Sequence, residues 1–192
     1  MGRRGLPVLH TARLVLRPWR ERDRAPFAAI NADPEVMEFF PSTLTRPESD
    51  SMVDVFRANA KRRGFGMFAV EERETGTFLG MAGLTLPDEE APFMPAVEIG
   101  WRFARSAWGR GFATEAAREV LTWALHGLLL PRVVSFTVYE NKRSWRVMER
   151  IGLAHIDDTG RPVAAASRGQ HAHLLYAVDR AALPAAMPSP RR

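Results

Sequence analysis

The sequence predicts a mixed α/β domain in which helices cover the faces of one central sheet. Apolar residues recur at every second position in some segments and at three- and four-residue steps in others, the periods of strand and helix. Gly and Pro mark most of the switches between the two periods. The 192 residues are 46% hydrophobic and 26% charged and include 11 Phe and 5 Trp, enough bulky material for one sizeable core. That length fits a single domain of about 100–200 residues. The expected element order is β-α-α-β-β-β-α-β-α-β-β, about seven strands.

Residues 1–9 are rich in Gly, Arg and Pro and read as a flexible arm before a domain at 10–180. Arg13 to Trp19 alternates polar and apolar residues, a strand pattern. Glu21 to Asn31 carries Ala25, Phe27, Ala28 and Ala29 at helical spacing, and Asp33-Pro34 interrupts the pattern after it. A second helix starts after Arg46-Pro47 and runs to about Arg63, where Gly64 can end it. Phe65 to Glu71 and Thr77 to Leu86 form a hairpin joined by Glu74-Thr75-Gly76. After a Pro-rich loop, 87–95, residues Ala96 to Phe103 alternate again. Val97, Ile99, Trp101 and Phe103 take one face, and Glu98, Gly100 and Arg102 the other. Phe112 to Gly127 is a strongly amphipathic helix ended by Pro131. Val133 to Tyr139 is β-rich, Ser144 to Arg150 is a helix closed by Gly152, and His171 to Val178 is the last strand. Residues 181–192 read as a disordered Pro- and Arg-rich tail.

Composition removes several classes of function. There is no cysteine, hence no disulfide framework, thiolate metal site or cysteine nucleophile. A net charge of +5 favours an anionic partner, although part of the excess sits in Arg3, Arg4, Arg191 and Arg192 at the ends. Nucleic acid is therefore a disfavoured partner. No apolar run approaches the length of about 18 residues expected of a membrane span. Arg3-Arg4 precedes Gly5-Leu6-Pro7 rather than a signal-peptide core, and Leu6 stands where a myristoylation site wants Ser or Thr. The expected location is the cytoplasm.

One segment carries chemistry. The strand at 96–103 leads through Arg105-Ser106-Ala107 into Trp108-Gly109-Arg110-Gly111-Phe112-Ala113-Thr114-Glu115-Ala116 and straight into a helix. The first N–H groups of a helix lack intrahelical acceptors and sit at the positive end of its dipole, so they bind anions. Gly109 and Gly111 let the backbone approach a pyrophosphate, and Arg110 and Thr114 add a charge and a hydroxyl. A Rossmann loop would need a third glycine at Thr114 and no intervening residues at 104–108; a Walker loop would need Gly-Lys-Ser/Thr. Neither pattern is present.

The segment resembles the pyrophosphate signature of the GNAT superfamily of acyl-CoA N-acyltransferases, Gln/Arg-x-x-Gly-x-Gly/Ala, with Trp108 in place of the leading Gln or Arg. Trp-Gly-x-Gly-aromatic-Ala-Thr-Glu-Ala is similar to the branch that includes ribosomal-protein N-terminal acetyltransferases, the RimJ/RimL-like proteins. Asn141-Lys142-Arg143-Ser144-Trp145-Arg146-Val147-Met148-Glu149-Arg150-Ile151-Gly152-Leu153 resembles a second block of that branch, and Thr11 to Pro18 its first strand. The resemblance implies a mixed, mostly antiparallel sheet flanked by helices, and acetyl-CoA as acyl donor without a metal. Carried over, it implies that Trp101 and Phe103 hold the pantetheine arm by backbone hydrogen bonds. The N–H groups of Trp108, Gly109, Arg110, Gly111, Phe112 and Ala113, with Thr114, would cradle the pyrophosphate. Asn141 would bind beside the pantetheine amide, Ser144 near the thioester sulfur, and Arg146 a phosphate.

Attack of an amine on a thioester needs a deprotonated nitrogen and a proton for the departing thiolate. Glu98 is the candidate base; the competing role is an ion pair with Arg102 on a solvated face. Relatives often carry a Tyr where Met148 stands, so Ser144 is the candidate proton donor, and it is equally placed to cap its helix. Tyr176 is a more distant reserve. Without cysteine, direct transfer in a ternary complex is expected rather than a thiol-linked route. Phe39-Phe40 fits either core packing or an acceptor pocket. Asp88-Glu89-Glu90 fits a solvated loop or an attractor of cationic amines, and His171 and His173 lack a third metal ligand. The expected function is acetyl transfer from acetyl-CoA to a primary amine, a protein N-terminus or a small molecule; a CoA-binding module without turnover is the alternative. Oligomeric state, a homodimer included, stays open.

Overall fold

The computed structural model of the chain describes residues 5–87, 96–156 and 173–182. The strands are β1 (Leu9–His10), β2 (Leu14–Arg17), β3 (Met67–Glu72), β4 (Phe78–Thr85), β5 (Glu98–Phe103), β6 (Arg132–Val138), β7 (Ala154–Ile156) and β8 (His173–Asp179). The principal helices are α1 (Arg24–Ala32), α2 (Arg46–Arg63), α3 (Phe112–Thr122) and α4 (Lys142–Arg150). One eight-stranded sheet runs in the order β1-β2-β3-β4-β5-β6-β8-β7. The mixed, mostly antiparallel sheet matches the expected class. The eighth strand comes from β1, two residues at the boundary between the expected arm and the domain, which pairs Leu9 with Leu16 and His10 with Val15.

Local chemistry sets the helix ends. Thr45 and Glu48 form a capping box at the start of α2, Pro47 occupies its first turn, and Gly64 ends it at φ 78°. The expected helix to Gly127 instead stops at Thr122 and widens into one π turn, Trp123–Gly127. The helix expected from Ser144 begins two residues earlier, because Asn141 is its N-cap and accepts from the Ser144 N–H at 3.2 Å. Ser144 is thus not the cap.

Apolar burial divides between the sheet faces. On one face α3 and α4 pack Phe112, Ala116, Val120, Val147 and Met148 onto Leu16, Phe68, Leu84, Ile99 and Phe103. On the other, α1 and α2 cover Trp19, Met67, Ala69 and Met81 with Phe27 and Val53. A buried ion cluster sits at the end of β2. Arg17, 2% exposed, donates to both oxygens of Asp23 at 2.7 and 2.8 Å and to Glu71 Oε2 at 2.8 Å through Nε. These carboxylates hold the Arg17 guanidinium pKa above its ordinary value, the hydrogen bond to Asp23 contributing most.

Strands β3 and β4 come close where Gly83 opposes Met67. A Cβ on Gly83 would lie 2.4 Å from the Gly66 carbonyl oxygen and 2.5 Å from Met67 Cα, both backbone atoms that cannot rotate away. Gly83→Ala is expected to destabilise the domain by about 1–3 kcal/mol, checked by urea unfolding.

Candidate active site

The site begins at a defect in the sheet. Strands β5 and β6 are parallel neighbours, joined through the α3 crossover, yet their register holds a single pair, Glu98 with Val134. The Val134 N–H donates to the Val97 carbonyl at 2.9 Å, and beyond this point no further residue pair is formed. A cavity of about 870 Å³ occupies the gap and reaches both faces, from the α3 N-terminus to residues of α2 and the segment after α1.

Of the predicted site residues, Glu98, Trp101, Phe103, Trp108, Gly109, Gly111, Phe112, Ala113, Thr114, Asn141, Ser144 and Arg146 all line this cavity. Arg110 does not. Its guanidinium turns away to pair with Glu72 at 2.8 Å and lies over the Phe112 ring at 4.4 Å. Gly109 and Gly111 adopt φ 74° and 79°, the left-handed region that glycine occupies without strain. Gly111 is the N-cap of α3 and supplies no side chain, which leaves the first-turn N–H groups open towards the cavity. The Trp108 N–H is already committed to the Arg105 carbonyl at 3.1 Å, so the expected cradle is shortened by one donor.

Neighbouring side chains fix the loop. Trp108 Nε1 donates to the Phe103 carbonyl at 3.1 Å, tying the loop to the end of β5. On the outer side Arg13 bonds the Arg110 carbonyl at 2.9 Å and pairs with Glu115 at 2.6 Å, while the Thr11 hydroxyl donates to the same carboxylate at 2.6 Å. Arg143 stacks over Trp108 at 4.1 Å and, with Arg146 and Arg150, forms a cationic rim along α4. Arg143 and Arg150 were not among the expected site residues. Their spacing of three and four residues around Arg146 was the available signal.

Glu98 is half-buried on the cavity wall, and burial pushes its carboxyl up to about 7. The expected alternative, an ion pair with Arg102 on a solvated face, is not formed. Helices α1 and α2 cover that face, and Arg102 donates to Asn31 Oδ1 at 2.5 Å. The Ser144 hydroxyl makes no hydrogen bond among the described residues, and Met148 is buried in the core. Tyr176 is removed from the cavity: its hydroxyl donates to Glu149 at 3.3 Å, and burial pushes its pKa up to about 12. Phe39 and Phe40 both line the cavity, with Phe40 43% exposed, which places them in the pocket rather than the core. Asp88, Glu89, Glu90 and His171 lie outside the described residues, as does the side chain of His173.

A family model, the acetyltransferase (GNAT) domain, matches residues 13–154. The chain belongs to the GNAT acetyltransferase family. The activity that goes with this membership is acetyl-CoA-dependent N-acetyltransfer. Among relatives, the FsC-acetyl coenzyme A-N(2)-transacetylase of Aspergillus fumigatus is 33% identical over 159 residues, 79% of this chain and 66% of that protein. An acetyltransferase from Agrobacterium tumefaciens superposes with a TM-score of 0.73 at 29% identity, covering 90% of this chain and 94% of the other. RimJ of Mycobacterium smegmatis, solved with CoA-disulfide, shares the fold with a TM-score of 0.69 at 24% identity, covering 90% of this chain and 84% of that one. The GNAT domain match ends at Ala154, so it contains the splayed strands, the glycine loop and all of α4. No described helix is long and apolar enough to cross a membrane.

Proposed function

We propose that the chain transfers the acetyl group of acetyl-CoA directly to a primary amine, a protein N-terminus or a small molecule, in a ternary complex. The observation that carries this reading is a cavity open to both faces of the sheet, with Glu98 on its wall. Acetyl-CoA supplies the activated acyl group. The N–H groups at the start of α3, with Thr114 and the arginines of α4, suit its phosphates. Trp101 and Asn141, which line the same cavity, would bind the pantetheine arm. An acetyl group at Glu98 would meet an amine arriving from the α2 side.

An alkyl ammonium has a pKa of about 10.4, so a nearby base is needed at neutral pH. A carboxylate near 7 is suited to take that proton, because its ionised form is populated and it is more basic than an exposed Glu. Ser144, which lines the cavity and whose hydroxyl is free among the described residues, would pass a proton to the departing thiolate. With no cysteine in the chain, a thiol-linked acyl enzyme has no nucleophile.

Calorimetric titration with acetyl-CoA, against dephosphorylated CoA and NAD, tests the donor site. Saturable binding of acetyl-CoA is expected. Gly111→Glu forces a side chain into φ 79° at the α3 N-cap, with its Cβ 3.5 Å from Arg13 Nη2 on the outer side, so the first-turn N–H groups lose their alignment and affinity should fall about 10-fold or more, with circular dichroism unchanged. Wild-type protein that does not bind acetyl-CoA would overturn the reading.

A further inference from the structure

One charged side chain on the cavity wall has no part in the transfer chemistry. Arg102 is 8% exposed, and no carboxylate among the described residues pairs with it. Its Nη1 donates to Asn31 Oδ1, its guanidinium lies 4.2 Å from the centre of the Phe40 ring, and its Nε is buried without a hydrogen-bond partner. Arg17, also buried, has two carboxylates around it. Burial with no counter-charge holds Arg102 down at about 10. A buried cation with unused donors is costly unless something charged or polar meets it.

Its position says what that partner belongs to. Arg102 shares a strand face with Glu98, opposite Met81 on β4, and touches Met52 of α2. The glycine loop and the α3 N-terminus lie across the sheet, so the donor's phosphates have their own site. This side of the cavity is lined mainly by Phe39, Phe40, Phe56, Met67 and Met81; of its carboxylates, Glu35 pairs with Arg105 and Glu98 forms no ion pair with Arg102. An anion entering there comes with the acceptor. We propose that Arg102 receives a carboxylate of the acceptor, so that the substrates are amines that also carry an anionic group. Four residues along a strand separate Cα atoms by about 13 Å. Amine and carboxylate are therefore held apart by a chain, as in an ω-amino acid or a peptide with an acidic residue near its N-terminus.

This inference rests on the amine being acetylated at the Glu98 end, and its test separates the two. The probes are 5-aminopentanoate and 6-aminohexanoate, each compared with its carboxamide. Turnover is read by thiol release, and binding by calorimetry on the CoA-loaded protein. The carboxylates are expected to be preferred about 10–100-fold over the carboxamides in kcat/KM and in binding. Arg102→Gln should bring that ratio close to one, and Arg102→Lys should keep part of it. Acetyl-CoA titration verifies that each variant retains its fold. Equal use of carboxylates and carboxamides by the wild type overturns the proposal. So does a Tm loss in Arg102→Gln with the ratio intact, since that marks a tie to Asn31 and nothing more. If no probe turns over, a binding preference lost in Arg102→Gln upholds the anion site while the catalytic reading fails; binding without preference overturns the site.

Discussion

Glu98→Gln is expected to lower kcat/KM by about 10²–10⁴-fold while leaving acetyl-CoA affinity within a few-fold of the wild type. The amide keeps the size of the side chain and removes its ability to accept a proton. In the wild type, kcat/KM should rise with pH through an apparent pKa near 7, the value to which burial raises this carboxyl, and then level off. The variant should lose that rising limb. A full-strength limb in Glu98→Gln would assign the proton to another group.

The same substitution carries a stability signature of defined sign. Glu98 titrates near 4.5 in the unfolded chain and near 7 in the fold. As pH rises from 4.5 towards 7 the unfolded chain gives up its proton first, so stability falls across that window and stays lower above it. Glutamine removes this loss. Glu98→Gln should therefore unfold at a higher temperature than the wild type at pH 8, by at most about 3 kcal/mol of stability, and show no such advantage below pH 4. Faster transfer and better stability are not available together at this position.

Arg17→Met is expected to be among the most destabilising single changes in the domain, at about 3–5 kcal/mol. It leaves Asp23, 1% exposed, with a buried carboxylate and no cation, and strips Glu71 of its nearest partner. Removing both charges in Arg17→Met/Asp23→Leu should recover part of the loss, because no desolvated Asp23 carboxylate is then left without a counter-charge, the remainder being the Arg20 N–H that loses its acceptor. Denaturant unfolding of the two variants at pH 7 measures this. Equal stability of the single and double variants would mean that the cluster's value lies in the Arg17 contacts to Glu71 and the Pro18 carbonyl.

Much of the architecture can be read from local signals. Arg46-Pro47 and Gly64 mark the ends of α2 to within two residues because end signals act over one turn, and alternation around Ile99 and Phe103 places β5. The strand β1 has no local signal: two residues cannot show alternation, and only the pairing of Leu9 with Leu16 makes them a strand. The direction in which Arg110 points depends on Glu72, far away in sequence, so a glycine loop alone could not show it. What covers the Glu98 face is illegible in the sequence for a related reason. Alternation tells which residues share a face, but whether water or a helix covers that face depends on where α1 and α2 return. Glu98 and Arg102 thus look like an exposed pair in sequence, and the fold sets them on one covered wall with no ion pair between them, Arg102 bonding Asn31 instead.

The gap between β5 and β6 bears on how such a protein tolerates mutation over time. Every residue but proline carries the same main-chain donor and acceptor, so a ligand gripped by the main chain would be held by something that most substitutions leave in place. The side chains at the two ends of the gap are then free to drift. One end can be retuned towards a new acceptor while the grip on the donor persists, so that a single scaffold can diversify its clients without relearning its fuel.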